Sequence, residues 1–207
     1  MKYIAHRGYS LRYRDNSIKS IYEAIERGYD GIELDIQQCA SGEIVLYHDV
    51  YIDDQFVEDM TFEELKSKGV CSLKEVYDTV PSIRRKRLFL DIKGSHPSII
   101  SELLQFYEND SVDNIFFCSF NRKILYGLPD RFQKGSTFET TFDTSEYDSI
   151  TKDLKAVVLH WTCLDHGFIA YCKMHGIRVF TYTHKEAKEL EYMKRYDVDG
   201  IITNGLT

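Results

Sequence analysis

The 207-residue chain carries 26 basic and 33 acidic side chains, a formal charge of −7, with 43 % apolar and 29 % charged residues. That composition excludes disorder and collagen-like repeats, and its acidic balance argues against a surface that neutralises nucleic-acid or anionic-membrane phosphates. A chain of this size buries roughly 70 % of its unfolded surface, enough for a core without disulfide or metal staples, so one domain over residues 1–207 is expected.

In chain order, a first strand is predicted over Tyr3–His6. Asn16 stands where a helix cap belongs, ahead of the apolar stripe Ile18, Ile21, Tyr22 and Ile25, with Gly28 just beyond the helix end. Gly31–Gln37 is the second strand, and a turn at Ala40-Ser41-Gly42 leads to Ile44–His48, a hairpin strand appended to it. Thr61 with Glu64, and Ser72 with Glu75, match the capping box. Strands over Leu88–Ile92, Ile115–Ser119, Gly135–Phe138, Ala156–His160, Arg178–Tyr182 and Gly200–Thr203 then alternate with helical stretches. Those stretches are Ser98–Tyr107, Asn121–Tyr126, Ser145–Leu154, Asp165–His175 and Lys185–Tyr196.

Eight strands with intervening helices predict an α/β fold, a (β/α)₈ TIM barrel, with a doubly wound open sheet as the alternative. The chain ends at Thr207 almost directly after the eighth strand. A missing or truncated last helix is therefore expected, leaving a barrel side that a second copy could cover in a homo-oligomer. The five cysteines (Cys39, Cys71, Cys118, Cys163 and Cys172) form no C-x-x-C pair, which favours reduced thiols and a cytoplasmic setting. The N-terminus lacks the apolar run of a signal peptide, and no stretch nears the roughly 20 apolar residues of a membrane span.

In a barrel, function belongs at the strand ends. Glu33 and Asp35 flank Leu34, so alternation puts both carboxylates on one face. Asp91 and Lys93 repeat the pattern around Ile92. Convergent carboxylates in a barrel mouth repel unless a cation lies between them, and an all-oxygen set suits Mg²⁺ or Ca²⁺. Solvated ion pairs are the competing account. His6 ends the first strand and His48 the hairpin strand, so both can reach that cluster. A pair of histidines, one protonated and one neutral, is what proton transfer to and from a phosphoester needs.

The opening His6-Arg7-Gly8, the run Gly31-Ile-Glu33-Leu-Asp35-Ile, Ile44-Val-Leu-Tyr-His48-Asp49, Asp91-Ile-Lys93, Ser119-Phe120 and Asp199-Gly-Ile-Ile-Thr-Asn204 occur in that order. In these motifs, over nearly the whole chain, the sequence resembles the glycerophosphodiester phosphodiesterase family. The resemblance implies a TIM-barrel enzyme that cuts glycerophosphodiesters to glycerol 3-phosphate and an alcohol with one divalent cation. It implies Glu33, Asp35 and Asp91 as metal ligands, His6 and His48 as general acid and base, and Arg7 and Lys93 on the phosphate. Phe180 stands where the family often has Trp and is a substrate-contact candidate, although filling the core accounts for it equally. Both a cyclic phosphate opened by water and direct attack by water are compatible with these residues.

The family's P-E-N reads Arg14-Asp15-Asn16 here, its third ligand Glu is Asp91, and the stretch between Asp49 and Leu88 is short. A more open or smaller site is expected. Two other readings stand beside this one: a phospholipase D-like relative of the same barrel acting on lysolipids, and, motivated by these departures, a barrel that binds without turnover. His96, His166, His175 and His184 match no motif and read as structural or solvated. Trp161, ending the sixth strand with His160, can line the mouth and meet a choline-like cation or pack on neighbouring loops.

Overall fold

The computed structural model describes residues 1–205. Strands β1 (Lys2–His6), β2 (Gly31–Gln38), β6 (Arg87–Ile92), β7 (Ile115–Ser119), β8 (Gln133–Phe138), β9 (Ala156–His160), β10 (Arg178–His184) and β11 (Gly200–Thr203) pair in parallel, and β11 returns to β1. The predicted barrel is therefore closed. Helices α1 (Ile18–Glu26), α4 (Ile99–Phe106), α5 (Arg122–Gly127), α6 (Tyr147–Thr151), α7 (His166–Met174) and α8 (Ala187–Met193) follow successive strands. Between β2 and β6 come β3 (Ile44–Leu46), a small hairpin of β4 (Tyr51–Ile52) and β5 (Gln55–Phe56), then α2 (Phe62–Ser67) and α3 (Leu73–Thr79). No helix among the described residues is long and apolar enough to cross a membrane. The expected loss of the last helix concerns residues past Gly205, outside the described ones.

Strand β2 pairs with β6 along Gly31–Ile36 on one edge. Its other edge is shared: β1 holds Gly31–Glu33, and antiparallel β3 holds Ile36–Gln38. The hairpin strand stops at Leu46, two residues short of its predicted end. Beyond it, side-chain bonds replace the ladder: the Gln37 amide donates to the carbonyls of Tyr47 at 2.7 Å and Asp49 at 2.8 Å. Helix α1 is capped by Ser17, which exchanges bonds with Ser20 in a capping box, and not by Asn16. Asn16 is engaged elsewhere, as described below.

Alternation along the strands divides the core. Ile32, Leu34, Leu88, Leu90, Val157 and Val179 pack outward against the helices. Ile4, Phe89, Phe116, Cys118, Ala156, Val158, Phe180 and Ile202 fill the barrel interior. The rings of Phe89 and Phe180 meet edge-on at 4.6 Å. Such bulk fits because small residues face it: a Cβ on Gly135 would lie 2.8 Å from Cys118 Sγ, and one on Gly31 2.8 Å from Ile4 Cδ1. This plug closes the barrel below the strands' C-terminal ends.

Candidate active site

Glu33 and Asp35 on β2 and Asp91 on β6 emerge directly above the plug. One carboxylate oxygen from each can be chosen so that all three lie within 4.8 Å of one another. Their burial is nearly complete, with 6 %, 1 % and 8 % of their surfaces exposed. The shared inner face follows from strand alternation, and the register pairs Asp35 directly with Asp91.

Burial and the nearby Asp35 and Asp91 hold the Glu33 carboxyl well above the usual range. Burial also raises Asp91 against the pull of Lys93. Burial opposes the charge on Asp35 too, but Lys93 and Arg7 outweigh it and lower that group. Lys93 Nζ is 2.6 Å from Asp91 Oδ2 and 3.1 Å from Asp35 Oδ1. The Arg7 Nε is 3.0 Å from Asp35 Oδ2, its Nη1 is 3.0 Å from Asp15 Oδ2, and its backbone N–H donates to Glu33 Oε2 at 3.0 Å. Arg7 and Gly8 both adopt left-handed backbone, φ 57° and 77°. A side chain at Gly8 would put its Cβ 2.5 Å from Ser20 Oγ, so the turn that delivers Arg7 requires glycine there.

His6 Nδ1 is 2.6 Å from Asn204 Oδ1, and its Nε2 is 3.9 Å from Glu33 Oε2. Burial first, and Arg7 second, lower its pKa to about 4. His48, just past β3, holds Asp49 Oδ1 at 2.7 Å through Nδ1 and is 40 % exposed at its side chain. His6, Arg7, Glu33, Asp35, His48, Asp91 and Lys93 all line one cavity of about 130 Å³. An open groove of about 750 Å³ adjoins it and runs past Arg14, Asp15, His160 and Trp161 to Lys185.

Phe180 is not part of this constellation. It is 1 % exposed in the barrel plug and does not line the chamber, whereas Tyr182, two residues further along the same face, does. The face was readable from the sequence and the depth was not.

Several residues to which the sequence reading gave no role at the site also reach it. Asn16, at φ 53°, donates from Nδ2 to Asp35 Oδ2 at 2.8 Å and accepts from the Asp35 backbone N–H at 3.1 Å. Asn204 reaches His6 from the end of β11. Thr137 and Glu139 line the chamber from β8 and the residue after it, and Glu139 accepts the Tyr182 hydroxyl at 3.0 Å. Period-two alternation from Gly135 would have found Thr137 and Glu139; the Asn16 contact depends on a loop conformation that carries no such pattern.

The donor set fits a hard divalent cation. It is all carboxylate, and Asp91 Oδ1 is buried without a hydrogen-bond partner, an arrangement that costs free energy unless a ligand meets it.

A family model described as the glycerophosphoryl diester phosphodiesterase family matches residues 6–206. A glycerophosphodiester phosphodiesterase of Bacillus altitudinis is 37 % identical over 233 aligned positions, covering 98 % of this chain and 94 % of its own. The enzyme of that name from Caldanaerobacter subterraneus subsp. tengcongensis is 26 % identical over 229, covering 97 % and 93 %. An Oleispira antarctica phosphodiesterase solved in complex with the product sn-glycerol-3-phosphate shares the fold with a TM-score of 0.86 at 18 % identity, covering 99 % of this chain and 93 % of that one. A Thermotoga maritima glycerophosphodiester phosphodiesterase gives 0.82 at 24 % identity, covering 99 % and 94 %.

Proposed function

The chain belongs to the glycerophosphoryl diester phosphodiesterase family, and we propose that it hydrolyses glycerophosphodiesters with His6 and His48 as the acid–base pair beside a divalent cation. The products are glycerol 3-phosphate and an alcohol, from a small headgroup ester such as glycerophosphocholine or glycerophosphoethanolamine. The reading rests above all on three buried carboxylates within 4.8 Å of one another, Glu33, Asp35 and Asp91, lining one chamber with both histidines.

Glu33, Asp35 and Asp91 would hold the cation. When bound, Mg²⁺ or Ca²⁺ supplies Lewis-acid polarisation and offsets charge that builds on a phosphoryl oxygen. Arg7 and Lys93 bring two permanent positive charges to the same chamber, where a phosphodiester places its anionic oxygens. His6 is kept neutral by burial, and Asn204 occupies its Nδ1, so Nε2 is the atom that accepts a proton from an attacking hydroxyl. Asp49 fixes the His48 ring through Nδ1, leaving Nε2 to give a proton to the departing alcohol. If the attacking hydroxyl belongs to the substrate, a cyclic phosphate forms and the two histidines exchange roles as water opens it. General acid–base assistance of this kind is worth about 10²–10⁴-fold.

The five unpaired cysteines accord with a reducing, cytoplasmic setting. The testing experiment incubates the protein with either ester in Mg²⁺, Ca²⁺ or EDTA and assays glycerol 3-phosphate. Cation-dependent release that vanishes in His6→Ala supports the reading; undiminished release in EDTA or in His6→Ala overturns it.

A further inference from the structure

The floor of the inner chamber is apolar, made by Phe89, Cys118, Val158 and Ile202. Three uncharged polar side chains also line the chamber, Thr137, Tyr182 and Thr183; of these, Thr137 alone is buried, the other two being partly exposed. Thr137 is 6 % exposed, and its Oγ1 has no hydrogen-bond partner. A buried hydroxyl without a partner has given up its bonds to water and regained none, and valine has the same shape without that cost. The register sets Thr137 beside Val158, which fills the neighbouring floor position with the very side chain that Thr137 could have been. Nothing in the packing therefore calls for a hydroxyl.

From this placement we infer that Thr137 is a specificity-determining residue whose hydroxyl bonds a free hydroxyl of the substrate at the chamber floor. The inference deepens the reading above and rests on it. The ligand it defines is a phosphoester whose phosphate lies among Arg7, Lys93 and the histidines and whose short polyol end points down the barrel axis. The alcohol to be released then lies in the outer groove past His160 and Trp161. One Thr137 Oγ1–hydroxyl bond reads one carbon position of the polyol, so the residue discriminates between polyol and deoxy fragments. It has no influence on the identity of the leaving alcohol.

The test measures binding by calorimetry, because binding does not require turnover. Glycerol 3-phosphate and its analogue lacking the terminal hydroxyl are titrated into the cation-loaded parent, Thr137→Val, Thr137→Ser and Ser136→Ala. Ser136 lies on the opposite face of β8, also without a partner, and serves as the control.

The parent is expected to bind glycerol 3-phosphate about tenfold more tightly than the analogue, a neutral hydrogen bond's worth. Thr137→Val should lose that ratio by weakening glycerol 3-phosphate alone, while Thr137→Ser and Ser136→Ala keep it. A ratio unchanged in Thr137→Val, or equal weakening of both ligands, overturns the assignment. Equal binding of the two ligands by the parent overturns it as well. Glycerophosphocholine turnover by the parent, assayed in parallel, separates failure of this inference from failure of the reading beneath it. A melting curve for Thr137→Val that matches the parent shows that the isosteric change left the fold intact.

Discussion

Asn204 and His6 come from opposite ends of the chain and meet at 2.6 Å, Oδ1 against Nδ1. Asn204 in turn is held by its backbone N–H on the His184 carbonyl at 3.1 Å. The amide oxygen accepts the Nδ1 proton and so selects the tautomer with its lone pair on Nε2. Asn204→Ala should lower kcat roughly 10–100-fold with little change in KM, since loss of the orienting partner acts on the proton-transfer step. Steady-state kinetics on glycerophosphocholine read this directly, and a change confined to KM would contradict the positioning role.

The carboxylate cluster makes the cation-free protein sensitive to pH in an unusual direction. The Glu33 carboxyl is raised above its ordinary value of 4.5. In the window above pH 4.5 the folded state holds a proton that the unfolded chain has already released, so stability falls as pH rises through that window. Glu33→Gln should remove this component. In EDTA, the variant's urea midpoint should gain on the parent's as pH rises from 5 to 7.5. A constant difference between the two proteins would mean that Glu33 is charged throughout.

His184 works with the opposite sign. It is buried on β10, with Nε2 2.7 Å from Thr181 Oγ1, and burial lowers its pKa from 6.5 to about 4. Its unfolded counterpart takes up a proton near pH 6.5 while the folded ring stays neutral. Its contribution to stability is therefore complete above pH 6.5, shrinks as the pH falls toward about 4, and does not decline further below that. Chemical denaturation of His184→Gln across this range should show a shallower acid limb than the parent.

Phe180 should behave as packing. Phe180→Leu is expected to cost roughly 1–2 kcal/mol, as removal of part of a ring from a filled interior does. The KM for a glycerophosphodiester should be unchanged. Thermal melts and initial rates on one preparation separate the two effects, and a raised KM with unchanged stability would return the residue to the binding surface.

Much of this architecture was legible because it follows from alternation. The E-x-D of β2 and the D-x-K of β6 identify an inner face with no knowledge of the turns between them. The order of strands and helices narrows the fold to a closed barrel or an open doubly wound sheet, between which the pairing of β11 with β1 decides. What escaped depends on three-dimensional detail. Asn16 reads as a helix cap by residue type, and only its φ of 53° turns the amide toward Asp35. The hairpin strand reads as running to His48, but Gln37 captures the carbonyls beyond Leu46. Phe180 and Tyr182 share a face, and which of them clears the plug is decided by the level of the neighbouring aromatic rings.

The divided edge of β2 carries a consequence for how ligands are met. Between the last contact with β1, at Glu33, and the first with β3, at Ile36, the ladder is interrupted. Asp35 falls in that gap, and the Asn16 side chain supplies the acceptor for its N–H that a neighbouring strand would otherwise have given. The barrel is thus left unzipped for a short length. Through the opening come the Arg7 turn on one side and the His48 segment on the other. A β1 that paired further along β2 would make a tighter cylinder and would wall off its own acids. The incomplete seam leaves His6, on β1, and His48, beyond β3, on either side of that opening, lining the same chamber.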